Sequence, residues 1–142
     1  MIAWLRRWWE ARTAPQPANL RRGRAGEDAA ARYLAGVGWK ILARNYTTAL
    51  GELDLVAWNG ECMAFVEVKA RSSGSWGRPA DAVDREKRRR VTAAAMHYLR
   101  AAGTPLVRIR FDIVEVLLSG DDVAEVRHLE DAFRMEGGRT YP

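Results

Sequence analysis

Two acidic residues and a lysine lie within two apolar segments of this sequence. Asp54 lies in residues 52–57, and Glu67 and Lys69 lie in residues 62–69, where most neighbours are aliphatic or aromatic. Burying carboxylates and an ammonium among such neighbours is costly unless they compensate one another or bind a metal ion. Mg²⁺ prefers one or two carboxylates, completed by water and phosphate. We therefore predict that Asp54 and Glu67 bind Mg²⁺ or Mn²⁺. Lys69 is expected either to stabilise the charge on the phosphate or to lower the pKa of the attacking water during phosphodiester hydrolysis.

A β-hairpin is expected to bring these three residues together. The two apolar segments read as strands, and Asn59-Gly60 between them supplies the positive φ angles of a tight turn. In the register that this turn implies, Asp54 lies opposite Phe65. Directly opposed residues share a face of the sheet, as do residues two apart in one strand. Asp54, Glu67 and Lys69 are therefore expected on one face.

The hydrophobic periodicity predicts a single α/β domain with the element order αβββαββ. A strand, a crossover helix and a second strand normally pair in parallel, so the strand after the second helix should extend the sheet beside residues 62–69. The expected result is a mixed sheet flanked by helices. The expected elements are helices at 20–37 and 83–102 and strands at 39–46, 52–57, 62–69, 106–117 and 123–129.

The length of the chain limits it to one core. With 142 residues and 48% hydrophobic content, it has enough apolar material for one domain and too little for two. Pro15 and Pro17 interrupt any helix. We predict a Trp- and Arg-rich tail and linker over residues 1–19, the folded domain over 20–133, and a C-terminal tail over 134–142.

The composition favours a cytoplasmic protein with an anionic partner. No window reaches the ~20 apolar residues of a membrane-spanning helix, and the single cysteine, Cys62, cannot form an internal disulfide. The formal net charge of +5 favours nucleic acid as a partner. A solvated helix face is the alternative explanation for the basic stretch at residues 85–90. The residues expected to bind nucleic acid are Lys87, Arg88, Arg89, Arg90 and Arg71.

Two sets of motifs resemble known families. The run Gly51-Glu52-Leu53-Asp54, followed by Phe65-Val66-Glu67-Val68-Lys69, resembles the Asp…Glu-X-Lys signature of PD-(D/E)XK, restriction-endonuclease-like nucleases, with Leu53 in place of the proline. Archaeal Holliday-junction resolvases carry a similar arrangement. Over roughly residues 23–116 the chain more closely resembles the YraN family of bacterial proteins. The further motifs that carry this resemblance are Gly26-Glu27-Asp28-Ala29-Ala30, Gly38-Trp39, Arg44-Asn45-Tyr46 and Lys87.

The resemblance implies a restriction-endonuclease-like αβββαβ core and branched or otherwise structured DNA as the substrate. With the hydrolytic site described above, the sequence predicts a Mg²⁺-dependent DNA endonuclease. The resemblance also implies that Glu27, on the first helix, is a further acidic member of the site. Two alternatives stay open. One is a non-catalytic nucleic-acid-binding module with the same fold, and the other is an interaction subunit that docks through its Trp-rich N-terminus. The oligomeric state is also open, with a homodimer among the options.

Overall fold

The computed structural model of the chain describes residues 21–72, 83–120, 122–136 and 141. The predicted tail over residues 1–19 lies outside the described residues. The elements follow in the predicted order. β3, β4 and β5 run past their predicted ends, and β4 begins two residues later than predicted. Neither described helix combines the length and apolar character needed to cross a membrane. The elements are α1 (Arg21–Gly36), β1 (Lys40–Thr47), β2 (Glu52–Trp58), β3 (Cys62–Ser72), α2 (Arg85–Ala101), β4 (Arg108–Ser119) and β5 (Asp122–Phe133).

The five strands form one mixed sheet in the order β1-β2-β3-β4-β5. Strands β3 and β4 are parallel and are connected through α2, as the crossover rule predicts. All other neighbouring strands are antiparallel. The predicted α/β class, with a mixed sheet flanked by helices, is therefore confirmed, and it is consistent with a restriction-endonuclease-like core.

Each face of the sheet packs against one helix. Phe65 and Met63 of β3 belong to a buried cluster with Tyr98 of α2. Val66 belongs to a second buried cluster with Leu34 of α1. Because both faces of β3 are covered, its residues from Cys62 to Glu67 are all buried, which explains the nearly unbroken apolar run in the sequence.

The hairpin between β2 and β3 has a different register from the predicted one. Phe65 lies opposite Val56, and the expected pairing of Phe65 with Asp54 is wrong by two residues. The reason is the turn. Asn59 pairs with Cys62 and its side chain accepts two backbone N–H bonds, so the central turn residues are Gly60-Glu61. Only Gly60 has a positive φ there, which matches a turn with glycine at its first central position.

A shift of two residues preserves the alternation of side chains, so the predicted shared face survives the correction. Glu67 and Lys69 continue the side of β3 that carries Phe65. Asp54 is two residues from Val56, the actual partner of Phe65. The predicted turn is therefore wrong. The prediction that Asp54, Glu67 and Lys69 share one face of the sheet still holds.

Candidate functional site

A crevice opens where strands β2 and β3 separate. Among the described residues, the last paired positions of the two strands are Leu55 and Val66, although β2 continues to pair with β1 as far as Glu52. The Asp54 side chain fills this gap, and its Oδ2 accepts a hydrogen bond of 2.8 Å from the backbone N–H of Val68. A side-chain carboxylate thus takes the place of the next backbone hydrogen bond between the two strands.

Glu67 lies beside Asp54 and is only 1% exposed. Its Oε2 is 3.3 Å from the Lys87 ammonium, which extends from the first turn of α2. Its Oε1 is buried and has no hydrogen-bond partner. Glu67 therefore has one paired oxygen and one that is available to another positive group.

Lys69 continues the same face of β3 and extends the charged surface. Burial raises the pKa of both Asp54 and Glu67, and the positive charge of Lys69 acts against that rise. No ion pair joins Lys69 to a carboxylate within the described ranges. Its neighbour on β4 is Glu115, which is fully buried and has no hydrogen bond to either carboxylate oxygen. Arg71 Nε lies 3.9 Å from Glu115 Oε2, so this predicted nucleic-acid contact faces the buried carboxylate.

Glu27 approaches from α1, on the other side of the sheet. It is half-buried and hydrogen-bonded to the side chain of Asn45. Asn45 has a φ of 50°, a left-handed conformation that asparagine tolerates better than most residues. The resemblance to the YraN family included Asn45 in a motif without a role. The structure gives this residue a contact with the acidic group.

Three carboxyl groups in the crevice resist ionisation. Burial, and then the charge of Asp54, raises the pKa of Glu67 from 4.5 to about 8. The same two causes, in the same order, raise the pKa of Glu27 from 4.5 to about 7. Burial also raises the pKa of Asp54, against the opposing effect of the Val68 N–H. A crevice that disfavours carboxylate ions favours any cation that would neutralise them.

Two glycines permit the close packing that defines the crevice. A Cβ on Gly26 would lie 2.9 Å from the Cβ of Ala70, so glycine allows α1 to approach β3 next to Glu27. A Cβ on Gly51 would lie 2.2 Å from the backbone oxygen of Arg90. Glycine there allows the β1–β2 connection to touch α2. Both glycines belong to motifs that carried the family resemblance.

An open cleft of about 400 Å³ borders the crevice. It is lined by residues 47–52 and by Lys87, Arg90 and Val91. A larger cavity of about 760 Å³ lies between the start of β4 and the end of β5, and none of the crevice carboxylates lines it. The smaller cleft is the relevant one because it contacts Lys87 and Glu52 at the edge of the acidic group.

The structure separates the predicted basic residues of α2. Arg88 pairs with Glu136, and Arg89 pairs with Glu86 on the exposed surface. Arg90 is exposed and lines the cleft. Of the five residues predicted to bind nucleic acid, Lys87 and Arg90 thus border the candidate site directly.

The donor set fits a hard divalent ion. Within the described part of the chain, no three His, Cys, Asp or Glu side chains form a group that could hold a metal. Mg²⁺, however, commonly uses one or two carboxylates and completes its shell with water and substrate phosphate. Asp54 and Glu67 supply oxygen ligands of that kind, and the unpartnered Glu67 Oε1 is a suitable position.

Comparisons with known proteins agree on one family. A profile of the uncharacterised protein family UPF0102 matches residues 26–116. A UPF0102 protein of Rhodococcus jostii is 42% identical over 115 residues, covering 81% of this chain and 98% of the relative. One from Solibacter usitatus is 50% identical over 105 residues, covering 72% and 80%. One from Moorella thermoacetica is 46% identical over 114 residues, covering 80% and 95%.

Proposed function

This chain belongs to the uncharacterised protein family UPF0102, the YraN family, and we propose that it is a Mg²⁺-dependent endonuclease that hydrolyses phosphodiester bonds of DNA. The observation that carries the proposal is the crevice between β2 and β3. It combines Asp54 with Glu67, a nearly inaccessible carboxylate whose Oε1 has no partner. Such a pair is costly in a folded protein unless a cation uses it.

Each residue of the crevice has a distinct part in the proposed reaction. Asp54 and Glu67 would hold the divalent ion, which supplies Lewis-acid stabilisation of the phosphate. Lys69 stabilises the charge that develops on the phosphate oxygens. Glu27, whose pKa is about 7, is suited to accept a proton from the attacking water near neutral pH. The water oxygen forms a bond to phosphorus as the bond to the leaving oxygen breaks. The leaving oxygen departs with the electron pair of that bond and takes a proton from bulk water.

The DNA-binding part of the proposal rests on charge and shape. The cleft beside the crevice is bordered by Lys87 and Arg90, and the protein has a net charge of +5. Such a surface attracts DNA phosphates, and neutralising them releases counterions from the DNA. Branched DNA is the proposed substrate, on the strength of the resemblance to junction resolvases.

Lys69→Ala is the variant that tests the proposed chemistry. It should lower metal-dependent cleavage of branched DNA on the order of 100-fold or more, because one group that stabilises transition-state charge is lost. Its affinity for Mg²⁺ should change little, since an ammonium cannot ligate a cation. Asp54→Asn should weaken metal binding itself. Cleavage is measured by gel electrophoresis across several DNA structures, and metal affinity by calorimetry.

Arg108→Ala is the matched control, because it removes one positive charge at the other end of the sheet. Arg108 pairs with Cys62 at the start of β3, seven residues before Lys69. This variant should cleave like the wild type. Wild-type activity in Lys69→Ala would remove Lys69 from the mechanism. A folded wild type that binds DNA and cleaves no structure with Mg²⁺ or Mn²⁺ would favour the binding module instead.

A further inference from the structure

Among the described residues, Lys87 makes the ion pair that joins helix α2 to the carboxylates of the crevice. Its ammonium lies 3.3 Å from Glu67 Oε2, at the border of the buried region. The Lys87 backbone is fixed, because its N–H donates a 2.8 Å hydrogen bond to Asp84, the residue that caps α2. The helix thus holds the backbone in place while the ammonium reaches the carboxylate.

The same lysine also lines the open cleft. Its side chain is 27% exposed, whereas that of Glu67 is 2% exposed. Arg90, one turn further along α2, lines the cleft as well. A lysine carries its charge on a flexible four-carbon stem. The ammonium of Lys87 can therefore exchange a buried carboxylate for an anion in the cleft without displacement of the helix backbone.

We propose that Lys87 couples the binding of DNA to the binding of the divalent ion. A DNA phosphate in the cleft attracts the ammonium, and Glu67 then loses its counter-charge and binds the ion more tightly. Conversely, an ion on Glu67 releases Lys87 for the phosphate. Linkage requires the two effects to be equal in free energy. This inference rests on the proposed function, since it assumes both ligands.

The coupling is measurable without cleavage. Fluorescence anisotropy gives the Kd of a labelled four-way DNA junction in EDTA and in saturating Ca²⁺, an ion that also binds through oxygen ligands. At constant ionic strength, Ca²⁺ should tighten binding by the wild type. In Lys87→Met the ratio of the Kd in EDTA to the Kd in Ca²⁺ should be lower by a factor on the order of 10, a typical size for coupling between sites. What remains reflects direct attraction between the ion and phosphate.

Two further variants make the test specific to Lys87. Arg90→Met removes a charge from the same helix and cleft but no contact with Glu67. It should weaken DNA binding and keep the Ca²⁺ enhancement. Lys87→Arg keeps the charge and pairs with Glu67 through a fork that is harder to displace. Its enhancement should exceed that of the wild type, which also tests the inference if Lys87→Met fails to fold.

The outcomes distinguish this inference from the proposed function. An equal Ca²⁺ enhancement in the wild type and either Lys87 variant would overturn the coupling role and leave the nuclease proposal standing. Wild-type protein that is folded by thermal melting but binds neither the junction nor Ca²⁺ would overturn both. A reduced enhancement in Lys87→Met, with a normal one in Arg90→Met, would support the inference.

Discussion

Asp112 and Glu67, two of the buried carboxylates among the described residues, differ in their partners rather than in their burial. Asp112 is inaccessible and accepts hydrogen bonds from the Arg110 guanidinium and the Asp131 N–H, with His128 Nε2 at 2.7 Å. Burial acts against ionisation of Asp112, but these partners lower its pKa below its usual value. Glu67 is almost as inaccessible. One of its oxygens forms an ion pair with Lys87, and the other has no hydrogen-bond partner. Asp112 is thus a satisfied structural group, whereas Glu67 is a candidate for a ligand.

The high pKa of Glu67 has a consequence for stability. Because this pKa is about 8 in the folded protein and near 4.5 when unfolded, the folded state binds more protons between these values. In EDTA, the free energy of unfolding should therefore fall as pH rises from about 4.5 to about 8. In Glu67→Gln the decline should be shallower, as followed by urea denaturation at each pH. The exposed Glu61→Gln, in the turn at the far end of the hairpin, is the control. A slope unchanged by Glu67→Gln would contradict the argument.

Among the secondary-structure elements, order was predictable and register was not. Periodicity gave the helices and strands, and the right-handed crossover gave the parallel pairing of β3 with β4. The hairpin register depends on Asn59, whose side chain binds the turn backbone and shifts the central residues to Gly60-Glu61. The Asn59-Gly60 sequence is compatible both with the predicted turn, centred on Asn59-Gly60, and with the observed one. The hydrophobic pattern did not predict the crevice either. The crevice depends on the Asp54 side chain, which accepts the Val68 N–H in place of a backbone carbonyl of β2.

The contact between the β1–β2 connection and α2 is testable through Gly51. In Gly51→Ala the new methyl group would overlap the backbone oxygen of Arg90, so the connection and the helix must separate. Overpacking of this kind costs about 1–3 kcal/mol. Urea denaturation should show that loss, while Gly36→Ala should lose much less, because its added Cβ meets no atom within 4 Å. Similar losses in the two variants would contradict the role of the close approach.

At the scale of the whole molecule, the crevice needs both helices and the central sheet at once. Glu27 comes from α1 and Lys87 from α2, which pack on opposite faces of the sheet. Both helices act on the carboxylates beside the point where β2 and β3 stop pairing. Burial and the charge of Asp54 raise the pKa of Glu27, and Lys87 forms an ion pair with Glu67. The acidic group therefore lies within the sheet, while the positive charge lines the cleft outside it. That arrangement would bring a phosphate backbone to the edge of the carboxylates.

The distribution of ion pairs on α2 determines which arginine should dominate the salt dependence of DNA binding. Arg88 and Arg89 each have a carboxylate partner, in Glu136 and Glu86, and must exchange it for phosphate. Arg90 lines the cleft and, among the described residues, has no such partner. Each phosphate contact contributes about 0.9 to the slope of log K against log salt concentration. We therefore expect Arg90→Gln to reduce the slope by about 1.

Arg89→Gln is the matched control, because it removes the same charge one position away, and its slope should stay near that of the wild type. Neutralising Arg88, Arg89 and Arg90 together should flatten the dependence only a little more than Arg90→Gln alone. Anisotropy titrations of one duplex from 50 to 200 mM salt, roughly the range over which such contacts are resolved, provide the slopes. An unchanged slope in the triple variant would mean that DNA binds to another surface. A large effect of Arg89→Gln would mean that its pair with Glu86 opens readily and that the exposed side of α2, rather than the cleft, follows the phosphate backbone.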